Sequence, residues 1–204
     1  MVNLPSSLAP TLLTWYDANK ADLPWRGADA YRVWLSEIML QQTQIDTVIP
    51  YYNRFLESYP SINALAQADL DSVLKQWEGL GYYSRARNLH KAARMVVNEF
   101  EGIFPSTVAE LRRLPGVGPY TAGAVASIAF GVQAPIVDGN VIRVFSRLFD
   151  IADDVTQTST KNHMWEIAEE LVPAERAGDY NQALMELGQK ICTKHHPLCT
   201  DCPV

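Results

Sequence analysis

Apolar residues recur at intervals of three and four along nearly the whole chain, while period-two alternation is almost absent, so the pattern predicts helices throughout. Ser6 or Ser7 is placed to cap a first helix that turns Leu8, Leu12, Leu13 and Tyr16 inward, and Pro24-Trp25-Arg26-Gly27 breaks it. A second helix starts near Asp29, with Tyr31, Trp34, Leu35, Ile38 and Met39 on its apolar side. A third covers about 45–59 and stops at Pro60. Leu70, Val73, Leu74 and Trp77 mark a short helix that closes at Gly79-Leu80-Gly81. Residues 85–100 read as an amphipathic helix with Leu89, Ala93, Val96 and Phe100 on one face. Ser106 is positioned to cap another short helix that closes at Leu114. Residues 120–130 are almost wholly small or apolar, which predicts a buried central helix. Three more helices are expected at about 140–149, 159–171 and 180–192.

The stretch between the short helix and the buried one carries the strongest local signal. In Leu114-Pro115-Gly116-Val117-Gly118-Pro119 two glycines flank Val117, and Pro119 stands where a helix would begin. Glycine supplies positive φ and close backbone approach, and proline at a first helical position is preorganised. Such a hairpin presents free N–H groups at a helix N-terminus, which is an anion site. Asp138-Gly139-Asn140-Val141 follows twenty residues past Gly118, with an acid at another helix start. A phosphate grip followed by a placed carboxylate points to chemistry on a nucleic acid.

Composition narrows the class. A chain of 204 residues with 48% hydrophobic and 20% charged residues is an ordinary globular protein of one domain or two small ones. Residues 1–15 show no basic region followed by an apolar run, and no apolar stretch approaches the roughly 20 residues of a membrane span, so a cytoplasmic or nucleoid-associated protein is expected. The net charge of −6 argues against DNA on bulk electrostatics but leaves room for a local basic strip. Lys75, Arg85, Arg87, Lys91, Arg94, Arg112 and Arg113 supply one on the segments leading to the hairpin.

Four constellations carry candidate chemistry, each with a plainer alternative. Glu37 interrupts an apolar helix face beside Trp34, Ile38 and Met39, where lost solvation favours the neutral acid that a proton donor needs. On spacing alone, the plainer reading is a carboxylate at the stripe's edge, paired with Arg32 or Arg26. Asp138 is either a helix N-cap or a fixed anion stabilising a developing cation, and a cap immobilises the side chain for both. Gly79-Leu80-Gly81-Tyr82-Tyr83 is either a turn that presents apolar wedges to a base stack or a set of core aromatics. Cys192, Cys199 and Cys202 fall at Cys-x6-Cys-x2-Cys, a metal-ligand spacing rather than a disulfide one. His195 offers a competing tetrahedral zinc set with the same cysteines, and free thiols are the plain alternative.

Taken together, Leu23-Pro24-Trp25-Arg26, the Glu37–Thr43 block, Gly79 to Tyr83, the hairpin, Asp138 to Val141 and Asn181-Gln182-Ala183 closely resemble the helix-hairpin-helix DNA glycosylases of the endonuclease III superfamily, and within it those that excise adenine. The resemblance covers essentially the whole chain. It implies an all-α helix-hairpin-helix glycosylase fold of two helical lobes with the active site in the cleft between them. One six-helix lobe, with the hairpin, would be 23–131; the other would join 1–22 to 132–204.

The same resemblance implies roles for particular residues. Glu37 matches the general acid that protonates adenine N7 and later helps water attack, and Asp138 matches the carboxylate that stabilises the cation-like sugar. Tyr120 stands where strand-cleaving members carry a Schiff-base lysine, so a monofunctional enzyme that leaves an abasic site is expected. Gln42, Leu80 and Tyr82 match residues that wedge into the duplex as adenine is flipped out, within a DNA-binding set that includes Gln41, Thr43, Gly81, Gly116, Val117 and Gly118. Trp25, Arg26 and Asn140 match positions around the flipped base. The partner implied is double-stranded DNA with adenine opposite 8-oxoguanine or guanine, bound by a monomer. A thymine glycosylase for T·G mismatches and a non-catalytic DNA-binding module are the rival readings. Cys192, Cys199 and Cys202 match three of the four ligands of a [4Fe–4S] cluster, preferred over zinc. The fourth would fall four residues beyond Val204, and the C-terminal domain that reads 8-oxoguanine is absent, so a fragment of a longer protein is the simplest account.

Overall fold

The computed structural model describes residues 7–204, and every regular element among them is helical. In chain order these are α1 (Leu8–Asn19), α2 (Ala30–Leu40), α3 (Ile45–Ser58), α4 (Ile62–Gln67), α5 (Leu70–Gln76), α6 (Ser84–Glu99), α7 (Val108–Leu111), α8 (Pro119–Phe130), α9 (Gly139–Leu148), α10 (Thr158–Leu171) and α11 (Ala177–Lys190), with a 3-10 turn at Cys199–Asp201. The all-α expectation therefore holds. No helix among the described residues is long and apolar enough to cross a membrane. Two compact units divide the chain, one of residues 22–125 and the other of Met1–Ala21 with Ala126–Val204.

In the unit 22–125, α2 is apolar on nearly every side, and Tyr31, Val33, Trp34, Leu35, Ile38 and Met39 are all buried. Asp29 starts it, its side chain accepting from Arg32 N at 3.0 Å, which satisfies one of the orphan donors of the first turn. Trp34, Tyr52, Phe55, Trp77 and Leu89 are fully enclosed, and Phe55 and Trp77 meet edge-on at 6.1 Å. Burying side chains of this size contributes roughly 1.5–3 kcal/mol each, so this is where the unit's stability is concentrated. Burial also raises the Tyr31 phenol and pushes the Tyr52 phenol up to about 12.

In the second unit, Leu12, Tyr16, Phe145, Tyr180, Leu184 and Leu187 form the core. Gly178 lets α11 approach the backbone at Ser127, because a Cβ there would lie 2.5 Å from the Ser127 carbonyl oxygen. Asn181 then donates to Ser127 Oγ and to Ala134 O, both at 2.8 Å, and fixes the segment that leads into α9.

Three local expectations need correction. Ser7 stands at the α1 N-cap position, but its side chain makes no capping bond; Ser6 lies outside the described residues. The cap of α7 is Thr107 rather than Ser106, in a reciprocal arrangement with Glu110: Thr107 Oγ1 accepts from Glu110 N at 3.2 Å and donates to Glu110 Oε2 at 2.7 Å. The sequence Thr107-Val108-Ala109-Glu110 is a capping-box spacing that signals this. Helix α4 was not expected; Ser61 caps it by accepting from Ala64 N at 3.2 Å, and Ile62 and Leu65 are its only buried residues.

Candidate active site

Glu37 sits in the apolar helix α2 with 6% of its surface exposed. Of the plainer pairings, the one with Arg32 is not made: Arg32 pairs with Asp29 at 3.7 Å. The Glu37 carboxylate accepts a hydrogen bond from the Tyr120 hydroxyl at 2.8 Å. Tyr120 reaches it from the first turn of α8, which begins at Pro119 as the hairpin spacing predicts. A hydroxyl donating to a carboxylate steadies its ionised form and fixes its direction. Beside this pair, Gln41 Nε2 donates to Thr121 Oγ1 at 3.5 Å. The tip after α2 is thus tied to the start of α8.

The hairpin has the predicted character. Gly116 has φ +80°, and a Cβ there would stand 2.8 Å from the Asn88 Cβ of α6. Gly118 has open space where a Cβ would go, so packing within the chain does not require a glycine there. Val117 between them is buried.

Two loops that match the wedge positions are strained. Gln42 has φ +58° and Tyr82 has φ +47°, both in the left-handed region that non-glycine residues rarely occupy. Such a residue stores roughly 1–3 kcal/mol and persists only where its surroundings hold it. Tyr82 is 60% exposed and Tyr83 is exposed too, so the core-aromatic reading fails for this pair. Leu80 differs: it is 5% exposed and turned inward, which corrects its expectation as a surface wedge. Gly79 and Gly81 take positive φ on either side of it.

Arg85 also departs from the sequence reading. Grouped there with the surface basic strip, it is buried, 8% exposed, while Lys75, Arg87, Lys91, Arg94, Arg112 and Arg113 are exposed. Its guanidinium donates to Ile38 O at 3.0 Å, Met39 O at 2.9 Å and Gln41 O through Nη1. Through Nη2 it donates to Thr43 Oγ1 at 3.3 Å, Leu80 O at 3.0 Å and Gly81 O at 3.4 Å. Periodicity could have found it, since Arg85 shares the face of Leu89, Ala92 and Val96 on α6.

Trp25 is buried, edge-on to Tyr52 with ring centroids 5.3 Å apart, and Arg26 beside it is half-buried.

Asp138 belongs to the second unit and caps α9. One carboxylate oxygen accepts from Val141 N at 2.8 Å and the other from Asn140 Nδ2 at 2.8 Å. Asn140 is held in turn by Arg143 Nη2, which donates to its Oδ1 at 2.8 Å. Arg143 also donates to Gly188 O and Cys192 O, each at 2.7 Å. Gly188 is required beside this group, because a Cβ there would lie 2.7 Å from the Asn140 Cβ. The result is a carboxylate with a fixed direction that remains half-exposed. A fixed anion of that kind suits a positive charge that develops beside it.

The cysteines are not gathered as the metal reading expects. Among the described residues no group of three or more His, Cys, Asp or Glu side chains is placed to hold a metal ion. Cys192 Sγ accepts from Arg147 Nη1 at 3.4 Å, while Cys202 Sγ donates to Val204 O at 3.2 Å. The three thiols are therefore not preassembled as a ligand set, although their number and spacing still suit a thiolate-bound cluster.

A model of the HhH-GPD superfamily base excision DNA repair protein matches residues 35–170. The adenine DNA glycosylase of Mus musculus is 51% identical over 203 residues, which cover 95% of this chain and 39% of that protein. The chain therefore spans about two fifths of that relative's length. Among solved structures, a thermostable thymine-DNA glycosylase is 32% identical, with a TM-score of 0.85 and coverage of 95% of this chain and 90% of the other. A non-covalent endonuclease III–DNA complex is 25% identical, with a TM-score of 0.79 and coverage of 96% and 89%.

Proposed function

Because the chain belongs to the HhH-GPD superfamily of base excision DNA repair proteins, we propose that it carries the catalytic machinery of a monofunctional glycosylase that removes adenine mispaired with 8-oxoguanine or guanine from double-stranded DNA. The observation that carries the reading is the buried Glu37 carboxyl held by the Tyr120 hydroxyl at 2.8 Å. A proton donor to the departing base has to be shielded from water and aimed, and this pair meets both needs.

In the mechanism that follows, the adenine nucleotide leaves the stack, because its reacting atoms are inaccessible inside the duplex. Glu37 protonates N7, the bond from C1′ to N9 breaks, and the bonding electrons leave with the neutral base. Asp138 stabilises the positive charge left on the sugar. Water then adds to C1′ and gives its proton to the Glu37 carboxylate, which restores the acid. Tyr120 donates to that carboxylate while it is ionised. A phenol forms no imine with the sugar, so the strand is left intact at an abasic site.

Adenine is favoured over thymine by the 51% identity to an adenine DNA glycosylase against 32% to a thymine-DNA glycosylase. Cys192, Cys199 and Cys202 are three of the four thiolates that a [4Fe–4S] cluster takes, and the reading includes that cluster with its fourth ligand from outside these 204 residues. Iron and zinc analysis tests this part: about four irons per chain support it, and stoichiometric zinc rejects it.

The substrate is tested by single-turnover base release from duplexes with A opposite 8-oxoguanine, A opposite G and T opposite G, with and without alkali. The reading expects adenine release whose strand cleavage needs alkali. Release of thymine alone would move the chain to the neighbouring activity.

A further inference from the structure

The buried guanidinium of Arg85 has no carboxylate partner among the described residues; it is met by six oxygens, two from the C-terminal end of α2 and four from two separate loops. Ile38 and Met39 offer carbonyls at the C-terminal end of α2, where the last turn has unsatisfied acceptors and the negative end of the helix dipole. A cation is the natural cap for such an end. The remaining contacts bracket the two strained residues. Gln41 O and Thr43 Oγ1 lie on either side of Gln42, and Gly81 O immediately precedes Tyr82. Arg85 N closes the turn by donating to Tyr82 O at 2.9 Å, and the guanidinium lies 5.6 Å from the centre of the Tyr82 ring.

Two separated loops, each holding one non-glycine residue in a left-handed conformation, are therefore joined by a single planar fork. From this juxtaposition we infer that Arg85 is the positioning residue that holds Gln42 and Tyr82 in one rigid arrangement, so that both enter the base stack together when a nucleotide is flipped. The inference rests on the base-excision reading above. Lysine does not replace arginine here, because one ammonium with three donors does not reach the six oxygens that the forked guanidinium meets. Arg85 touches no reacting atom; its effect passes wholly through the two loops.

The test is the single-turnover adenine release of Arg85→Lys, measured in the full chain alone and combined with Tyr82→Ala. Fluorescence of 2-aminopurine at the target position serves as the readout of base flipping. Arg85→Lys is expected to slow release by about 10²-fold, the scale of an ångström-level misplacement, and to lower the fluorescence rise. In the Tyr82→Ala background the same change is expected to cost little more, because coupled residues are not additive. Thr43→Val supplies a second probe if Arg85→Lys fails to fold, since Thr43 and Tyr82 are on different loops and Arg85 contacts both. Its loss is expected to shrink in the Tyr82→Ala background. Wild-type rates and flipping in Arg85→Lys, or full additivity of either pair, would overturn the inference. Absence of adenine release from the wild-type chain would instead reject the base-excision reading itself.

Discussion

At the scale of single residues, the two carboxylates are prepared in different ways. Glu37 is enclosed in an apolar helix and accepts from the Tyr120 hydroxyl, whereas Asp138 is a half-exposed helix cap held by a backbone N–H and an amide. The difference predicts separable mutational effects. Asp138→Asn keeps the cap on Val141 N but sets an amide NH2 against Asn140 Nδ2, so stability should fall by only about 1 kcal/mol, while loss of the anion lowers the excision rate by at least about 10²-fold. Melting and single-turnover kinetics on the same variant check this; a variant that melts far earlier would make Asp138 chiefly structural. Tyr120→Phe removes a donor to a buried carboxylate, an interaction of roughly 1.5–3 kcal/mol, so release should slow about 10–100-fold with the fold intact. An unchanged rate would remove Tyr120 from the site. Arg85 shows where residue-level reading fell short. An arginine on a basic helix reads as solvated, and only its register with Leu89 and Val96 marks it as buried.

At the scale of elements, most of the architecture was legible because each helix carries a face. Helix α9 has Val141, Val144 and Phe145 buried, with the predicted acid as its cap, and α2 declares itself by its apolar run. Helix α4 escaped because six residues with two buried apolar positions make less than two turns of pattern. Leu80 escaped because its flanking glycines set the turn, while the direction of its side chain depends on neighbours far away in sequence. The hairpin gives the sharpest prediction at this level. Gly116→Ala forces a Cβ against Asn88 in a left-handed backbone, so it should destabilise by more than about 1 kcal/mol. Gly118→Ala meets nothing, so it should leave stability unchanged and weaken duplex affinity by crowding the approaching phosphate backbone. Equal melting temperatures for the two variants would contradict this division.

At the scale of the whole molecule, burial of phenols gives the fold a defined alkaline limit. Tyr31, Tyr52 and Tyr180 are raised chiefly by burial, Tyr52 from 10.0 to about 12. A group whose pKa is raised on folding contributes stability that is complete below its unfolded value and lost as pH rises through the folded one. Stability should therefore hold up to about pH 10 and fall between pH 10 and 12, with tyrosinate absorbance and loss of helical circular dichroism rising together. Gradual ionisation at constant helicity would show that these phenols reach water in the folded chain.

The measurement that tests the account most directly compares wild type with Glu37→Gln for two properties of one preparation, single-turnover adenine release and duplex affinity. An isosteric amide keeps the volume and the hydrogen-bond capacity toward Tyr120 but has no proton to give. The account predicts that release falls by about 10²–10⁴-fold or more while duplex affinity changes little. Adenine release at the wild-type rate from Glu37→Gln would contradict it, because the buried carboxyl on which the mechanism turns would then have no part in the chemistry.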